Sequence, residues 1–332
     1  MTPEHRNREG HPDQTPDWLR TANVEALSLR LFRREEAEDA YPLWADGGVG
    51  ETSGTDAGLA PCAHRLAVLP DKVWKIRTEA LAPRELISWL RERLPQQGQD
   101  QLYAVLLSYD AGRNLESIPA TAKEDPALPE VVLARYPAWL ESPGANGPWA
   151  LRGGEPEARE ALLAWFSQDP SPPDCEEVEL HLQSTMGPET HESAVRDVLE
   201  GIRAGDLYQA NVARRLECPM DPHHTPELYR RLRENTPPAF GALWQLSGDV
   251  WLASVSPERL VTWEPETRLA RSYPIKGTRP RSGDPAEDQR LAEELMADPK
   301  ERAEHVMIVD LVRNDLGRVA VPGGVRVDRL CA

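Results

Sequence analysis

From Arg271 to Arg281 the sequence holds four cations (Arg271, Lys276, Arg279 and Arg281) and no acid within eleven residues, in a 332-residue chain of net charge −17. Pro274 and Pro280 restrict the backbone on either side of Lys276, and Gly277 permits close approach of a neighbouring group. Cations crowded about one lysine favour its neutral amine, which makes Lys276 a candidate nucleophile. The competing reading is a basic surface turn, which composition alone favours.

The elements that must position this lysine begin with a helix. Asp298 can cap it, Pro299 suits its first turn, and Glu301 lies where it would complete a capping box. Val306-Met307-Ile308-Val309 with Leu311-Val312 is apolar nearly all round, which predicts a buried helix. Glu304, Ile308, Val312 and Asp315 share one face of it, so a carboxylate stands one turn before the apolar stretch. A buried carboxylate needs a cation, hydrogen bonds or a proton. Mg²⁺ satisfies that need beside an anionic substrate, and a salt bridge to an arginine satisfies it equally well.

Upstream, Val195, Val198, Leu199 and Ile202 recur at helical spacing and Gly205 closes that helix. Leu207 to Val212 then reads as a strand, with Gln209 and Asn211 on one face. Residues 242–246 and 250–255 form an antiparallel pair about Ser247-Gly248-Asp249, and the second leads into Glu258, a candidate general acid or base. Earlier in the chain, Val24 to Phe32 predicts a strand, 84–94 an amphipathic helix, and Leu102 to Ser108 a strand running into Tyr109-Asp110. Gly47–Gly50, 141–157 and 167–174 read as loop or linker.

Length predicts two domains after a loose tail at 1–20, namely 21–175 and 176–332, with the boundary near Cys175. With 28% charged and 40% hydrophobic residues the composition is that of a globular, cytoplasmic protein. The four cysteines are scattered, without a CxxC pair, so neither zinc nor a disulfide framework is indicated. No apolar run reaches membrane-spanning length. The acidic balance argues against a nucleic-acid partner, and an anionic substrate would have to be held by local cations or a metal.

PIKGTRPR (274–281), AEHVMIVDLVRNDLGR (303–318), SVSPERL (254–260) and GDLYQANVARR (205–215) occur in the order found in the chorismate-utilising enzymes, and the chain resembles that family closely over 185–328. Tyr109-Asp110-Ala-Gly-Arg113 resembles a family strand end, with Ser108 where glycine is usual. The resemblance implies an α/β (α+β) fold like that of anthranilate synthase component I, with large, mainly antiparallel sheets packed face to face and helices outside. It implies chorismate as substrate, Mg²⁺ supported by Glu304, Glu258 as the acid, and Gln209, Asn211, Gly277 and Thr278 at the substrate.

Two positions discriminate within the family. Lysine in the third place of PIKGT, here Lys276, resembles the aminodeoxychorismate synthases, in which it attacks the ring before ammonia arrives. Anthranilate synthases carry alanine there. Isochorismate and salicylate synthases place a lysine where Gln209 stands, and glutamine cannot serve as a base. The resemblance therefore implies amination of chorismate to 4-amino-4-deoxychorismate, serving folate and para-aminobenzoate synthesis, with ammonia from a glutamine amidotransferase subunit. The alternatives are anthranilate synthase component I and a non-catalytic chorismate-binding remnant. Family motifs that follow DLVRNDLGR, including a second metal-binding glutamate, have no counterpart before Ala332. The 332-residue chain alone is therefore expected to be inactive or partial.

Overall fold

The computed structural model describes residues 15–20, 22, 24–32, 40–46, 63–95, 100–119, 128–143, 148–168 and 180–330. The Gly47–Gly50 loop and the boundary near Cys175 lie outside them. The first half contains helices α1 (Asp17–Arg20) and α2 (Val24–Leu31), then strands β1 (Leu43–Asp46), β2 (His64–Ala67) and β3 (Lys72–Ile76). Helix α3 (Leu86–Arg93), strands β4 (Leu102–Leu107), β5 (Val131–Tyr136), β6 (Trp139–Ser142) and β7 (Ala150–Arg152), and helix α4 (Pro156–Ser167) follow. The second half holds β8 (Gln183–Ser184), α5 (Pro188–Ala204), β9 (Leu216–Glu217), α6 (Thr225–Asn235), β10 (Phe240–Ser247) and β11 (Val250–Ser256). A short hairpin of β12 (Thr262–Glu264) and β13 (Leu269–Arg271) precedes α7 (Pro285–Ala297) and α8 (Pro299–Gly317).

Period-two alternation builds the layers. The six-stranded sheet has the order β11-β10-β1-β2-β6-β7 and the three-stranded sheet the order β3-β5-β4, with antiparallel pairing in both. Leu43, Ala67, Trp139 and Trp244 of the larger sheet meet Val132, Ala134 and Tyr136 of the smaller one. Their sequence neighbours Trp44, Leu66, Leu140 and Leu243 point the other way, onto Leu27, Leu31, Leu162, Phe166 and Tyr229 of the covering helices. Val131 and Leu133 of β5 face Leu86, Trp89 and Leu90 of α3. Face-to-face antiparallel sheets with outer helices are thus the architecture, and the larger sheet takes strands from both sides of Cys175.

Several local expectations are corrected. Val24–Leu31, within the stretch expected as a strand to Phe32, is helical, because Val24, Leu27 and Leu31 lie on one helical face and bury it. Part of the tail is helix α1, pinned by the fully buried Leu19. The stretch 141–157 contains β7 and the start of α4, despite its loop-like composition. Tyr109–Asn114 forms a 3-10 helix instead of a strand end, and Ser108 Oγ caps it by accepting from Ala111 N at 3.3 Å. Leu207–Val212 is not a strand, since no neighbouring strand among the described residues offers it a ladder. Finally, none of α5, α7 and α8 contains a fully buried residue, and Val306 and Leu311 of α8 are 45% and 43% exposed.

On α6, Glu227 accepts from Arg230 Nε at 2.7 Å and from Arg231 Nε at 2.8 Å. The Arg230 hydrogen bond leads, with help from Arg231, in holding its carboxyl down at about 2, below the ordinary 4.5. The resulting stabilisation is complete above pH 4.5 and is lost as pH falls toward 2. Because both arginines are well exposed, the contribution is expected to be only about 1 kcal/mol. Urea midpoints of Glu227→Gln and the parent should differ at pH 6 and converge as the pH is lowered below 3. An equal difference at every pH would refute the assignment.

Candidate chorismate site

Helix α8 starts where the sequence says it should. Asp298 Oδ1 accepts from Lys300 N at 2.9 Å and Glu301 N at 3.2 Å, with Pro299 in the first turn. These backbone donors, led by Glu301 N–H, hold the Asp298 carboxyl below the usual carboxylate range. The capping box stays half-built, because the Asp298 N–H donates to the Glu294 carbonyl at 3.0 Å. Two turns into the helix stands Glu304, half-buried, its Oε1 accepting from Gln209 Nε2 at 2.9 Å. Gln209 arrives there because Gly205, at φ +84°, ends α5 in the left-handed conformation and turns the chain toward α8.

Two other segments complete the surroundings, one of them in contact with α8. Just past β11, Glu258 Oε1 accepts from Ile275 N at 3.0 Å, so this carboxylate holds the residue before Lys276. Gly277, at φ +82°, lies against α7 and α8, where an added Cβ would come within 2.7 Å of Leu295 Cδ1 and 3.1 Å of Glu301 Oε2. Glu301 is one turn before Glu304. Glu258 thus holds Ile275 and Gly277 packs on Glu301, while one turn further along α8 Glu304 holds Gln209.

The basic cluster suggested by the sequence is not formed, because its arginines are paired with acids from elsewhere. Arg271 pairs with Glu264, Arg279 Nη2 with Asp298 Oδ2 at 2.7 Å, and Arg281 with both oxygens of Asp288 at 2.7 Å. The Arg281 hydrogen bond is the main cause that lowers Asp288 to about 2. Lys276 is half-buried and, among the described residues, has no hydrogen-bond or ion-pair partner.

Beside the Gln209–Glu304 pair lies an open groove of about 550 Å³. Its wall is the apolar face of α5 (Val195, Val198, Leu199, Ile202), with Tyr208 and Met307 opposite. The helical spacing of that face was legible, but it reads as an ordinary core face, and nothing marks it as the wall of a groove. Asn211 and Thr278 are exposed and make no side-chain hydrogen bond among the described residues, so neither joins the convergence. Tyr208, Gln209, Ala210 and Val212 all line the groove, as an irregular segment allows and a strand of period two does not.

Among the described residues no three His, Cys, Asp or Glu side chains converge, and Glu304 offers one carboxylate with an oxygen already engaged by Gln209. These residues do not by themselves compose a Mg²⁺ site, which takes several oxygen ligands. Among the described residues no helix is long and apolar enough to cross a membrane.

Residues 43–332 match the family described as chorismate binding enzyme. Anthranilate synthase component 1 1 of Haloarcula marismortui is 38% identical over 67% of this chain and 49% of its own length. Aminodeoxychorismate synthase component 1 of Escherichia coli is 37% identical over 68% of this chain and 49% of its own. The chain thus spans about half the length of these relatives. Among solved structures, anthranilate synthase component I from Streptococcus pneumoniae superposes with a TM-score of 0.63 at 20% identity, over 81% of this chain and 65% of that one. That likeness extends to the fold.

Proposed function

This chain belongs to the chorismate binding enzyme family, and we propose that within it the site serves amination of chorismate to 4-amino-4-deoxychorismate. The observation that carries the reading is Lys276, the one cation of the 271–281 segment without an ion pair among the described residues, on a segment held by Glu258 at Ile275 and packed at Gly277 against Leu295 and Glu301. Its amine forms a bond to C2 of chorismate, both conjugated ring double bonds shift toward C4, and the C4–O bond breaks so that the hydroxyl departs as water with a proton from Glu258. Ammonia then bonds to C4, the electrons shift back, and the C2–N bond breaks to free the lysine. Two easier displacements replace one difficult displacement.

Glu258 has the geometry for its role. Its Oε1 is held by Ile275 N–H, and its Oε2 has no partner among the described residues. Gln209 supports ammonia over water as the nucleophile, because an amide bound to Glu304 takes no proton from water. A glutamine amidotransferase subunit would supply the ammonia, and the cytoplasm would be the setting.

Anthranilate synthase component 1 is the second reading, favoured by relatives of that name at the same level of identity. Incubating the purified chain with chorismate, Mg²⁺ and excess ammonium, with products separated by chromatography, tests both. Aminodeoxychorismate supports the first reading and anthranilate the second. Chorismate bound without product would favour a binding protein.

A further inference from the structure

We propose that Asp298 is a positioning residue that registers the Lys276 segment on the helix carrying Glu304. The inference rests on the role proposed for Lys276 and goes deeper into the same site. The two carboxylate oxygens divide the work. Oδ1 caps α8 by accepting from Lys300 N and Glu301 N, while Oδ2 accepts from Arg279 Nη2 at 2.7 Å. Arg279 stands three residues after Lys276, and its Nε lies 3.5 Å from Glu294 Oε1 of α7. Both partners are largely covered, with side chains 22% and 28% exposed, more so than the pairs on the outer faces of these helices.

A helix cap has no need of a charge. Serine and asparagine cap as well as aspartate does. What a carboxylate adds here is a second acceptor for the guanidinium, so one residue fixes where α8 begins and where the nucleophile's segment lies on it. Gly277 fills the space between, against Leu295 and Glu301. Lys276 is thereby held on both flanks, by Glu258 at Ile275 and by Asp298 at Arg279. The distance from its backbone to Glu304 becomes a property of the rigid start of α8.

Asp298→Asn separates the two jobs. Asparagine keeps an oxygen for the cap and presents an amide nitrogen, which cannot accept, to Arg279. Because Glu294 is a second acceptor, the decisive variant is Asp298→Asn with Glu294→Ala, which leaves no acceptor there, compared with Asp298→Ala in the 332-residue chain. Hydrogen–deuterium exchange and acetylation of Lys276 by acetic anhydride, both read by mass spectrometry, are the measurements. The double variant should speed exchange of amides 275–279 by about fivefold and change the Lys276 acetylation rate, with Lys300 and Glu301 as protected as in the parent. Asp298→Ala should loosen both regions, and Arg279→Met should reproduce the double variant's pattern. Unchanged exchange at 275–279 in the double variant would overturn the proposal. So would equal loosening of the α8 start, which would reduce Asp298 to a cap. If this pattern holds but chorismate leaves no adduct on Lys276 of the parent, the registration stands and the nucleophile reading alone fails.

Discussion

Lys276→Ala is expected to lower amination of chorismate by about three powers of ten or more in any form of this protein that carries out the reaction, because it deletes the attacking atom. No neighbouring group can take over. Arg271, Arg279 and Arg281 are each tied to an acid, and a guanidinium stays protonated in any case. Lys276→Arg should therefore be as inactive as the alanine variant, which separates a nucleophile from a charge that merely attracts the substrate. Quenching the parent with chorismate present should leave an adduct on the peptide containing residue 276, and neither variant should carry it. Amination by Lys276→Ala at more than a tenth of the parent rate would end the covalent role. Activity kept by the arginine variant alone would make Lys276 an electrostatic anchor.

Much of this arrangement is legible in the sequence because it is local. Asp298-Pro299 fixes the start of α8, Gly205 the end of α5, and Ser247-Gly248-Asp249 the turn between β10 and β11. Each depends on residues a few positions apart. The misreadings share the opposite character. Val24–Phe32 has an apolar alternation, Leu27, Leu29 and Leu31 about Ser28 and Arg30, that suits a strand, and only the distant partners Leu162 and Phe166 make its helical face the buried one. The apolar content of 306–312 predicts burial, yet burial needs a covering surface, and Val306 and Leu311 meet none among the described residues. Leu207–Val212 has strand-like alternation without a neighbouring strand. The basic cluster around Lys276 failed likewise, because Asp288 and Asp298 lie outside the eleven-residue window and neutralise it through space. Residue types named the chemistry of the site, and pairing across the chain decided which cation was left available for it.

Gly277→Ala is expected to lower amination by about 100-fold while leaving the fold intact, since a shift of about 1 Å in a reacting group costs that much. Two effects act together at this position. The backbone is at φ +82°, where an L side chain costs about 1–2 kcal/mol. The new Cβ also meets Leu295 Cδ1 at 2.7 Å and Glu301 Oε2 at 3.1 Å. The leucine tip can rotate away, so crowding alone is a small cost, and the conformational term has no such escape. The segment relieves it by lifting from Leu295 and Glu301, which displaces Lys276. Gly283→Ala is the matched control, because a Cβ there meets nothing within 4 Å and the backbone is not left-handed. It should leave both the rate and the thermal midpoint unchanged, whereas Gly277→Ala should lower the midpoint by only a few degrees. Adding Leu295→Ala to Gly277→Ala makes room without relaxing φ, and the rate should stay low. Full recovery in that double variant would show that crowding, and not the left-handed backbone, is what Gly277 avoids; an unimpaired Gly277→Ala enzyme would show that the contact between this segment and α8 does not set the position of Lys276.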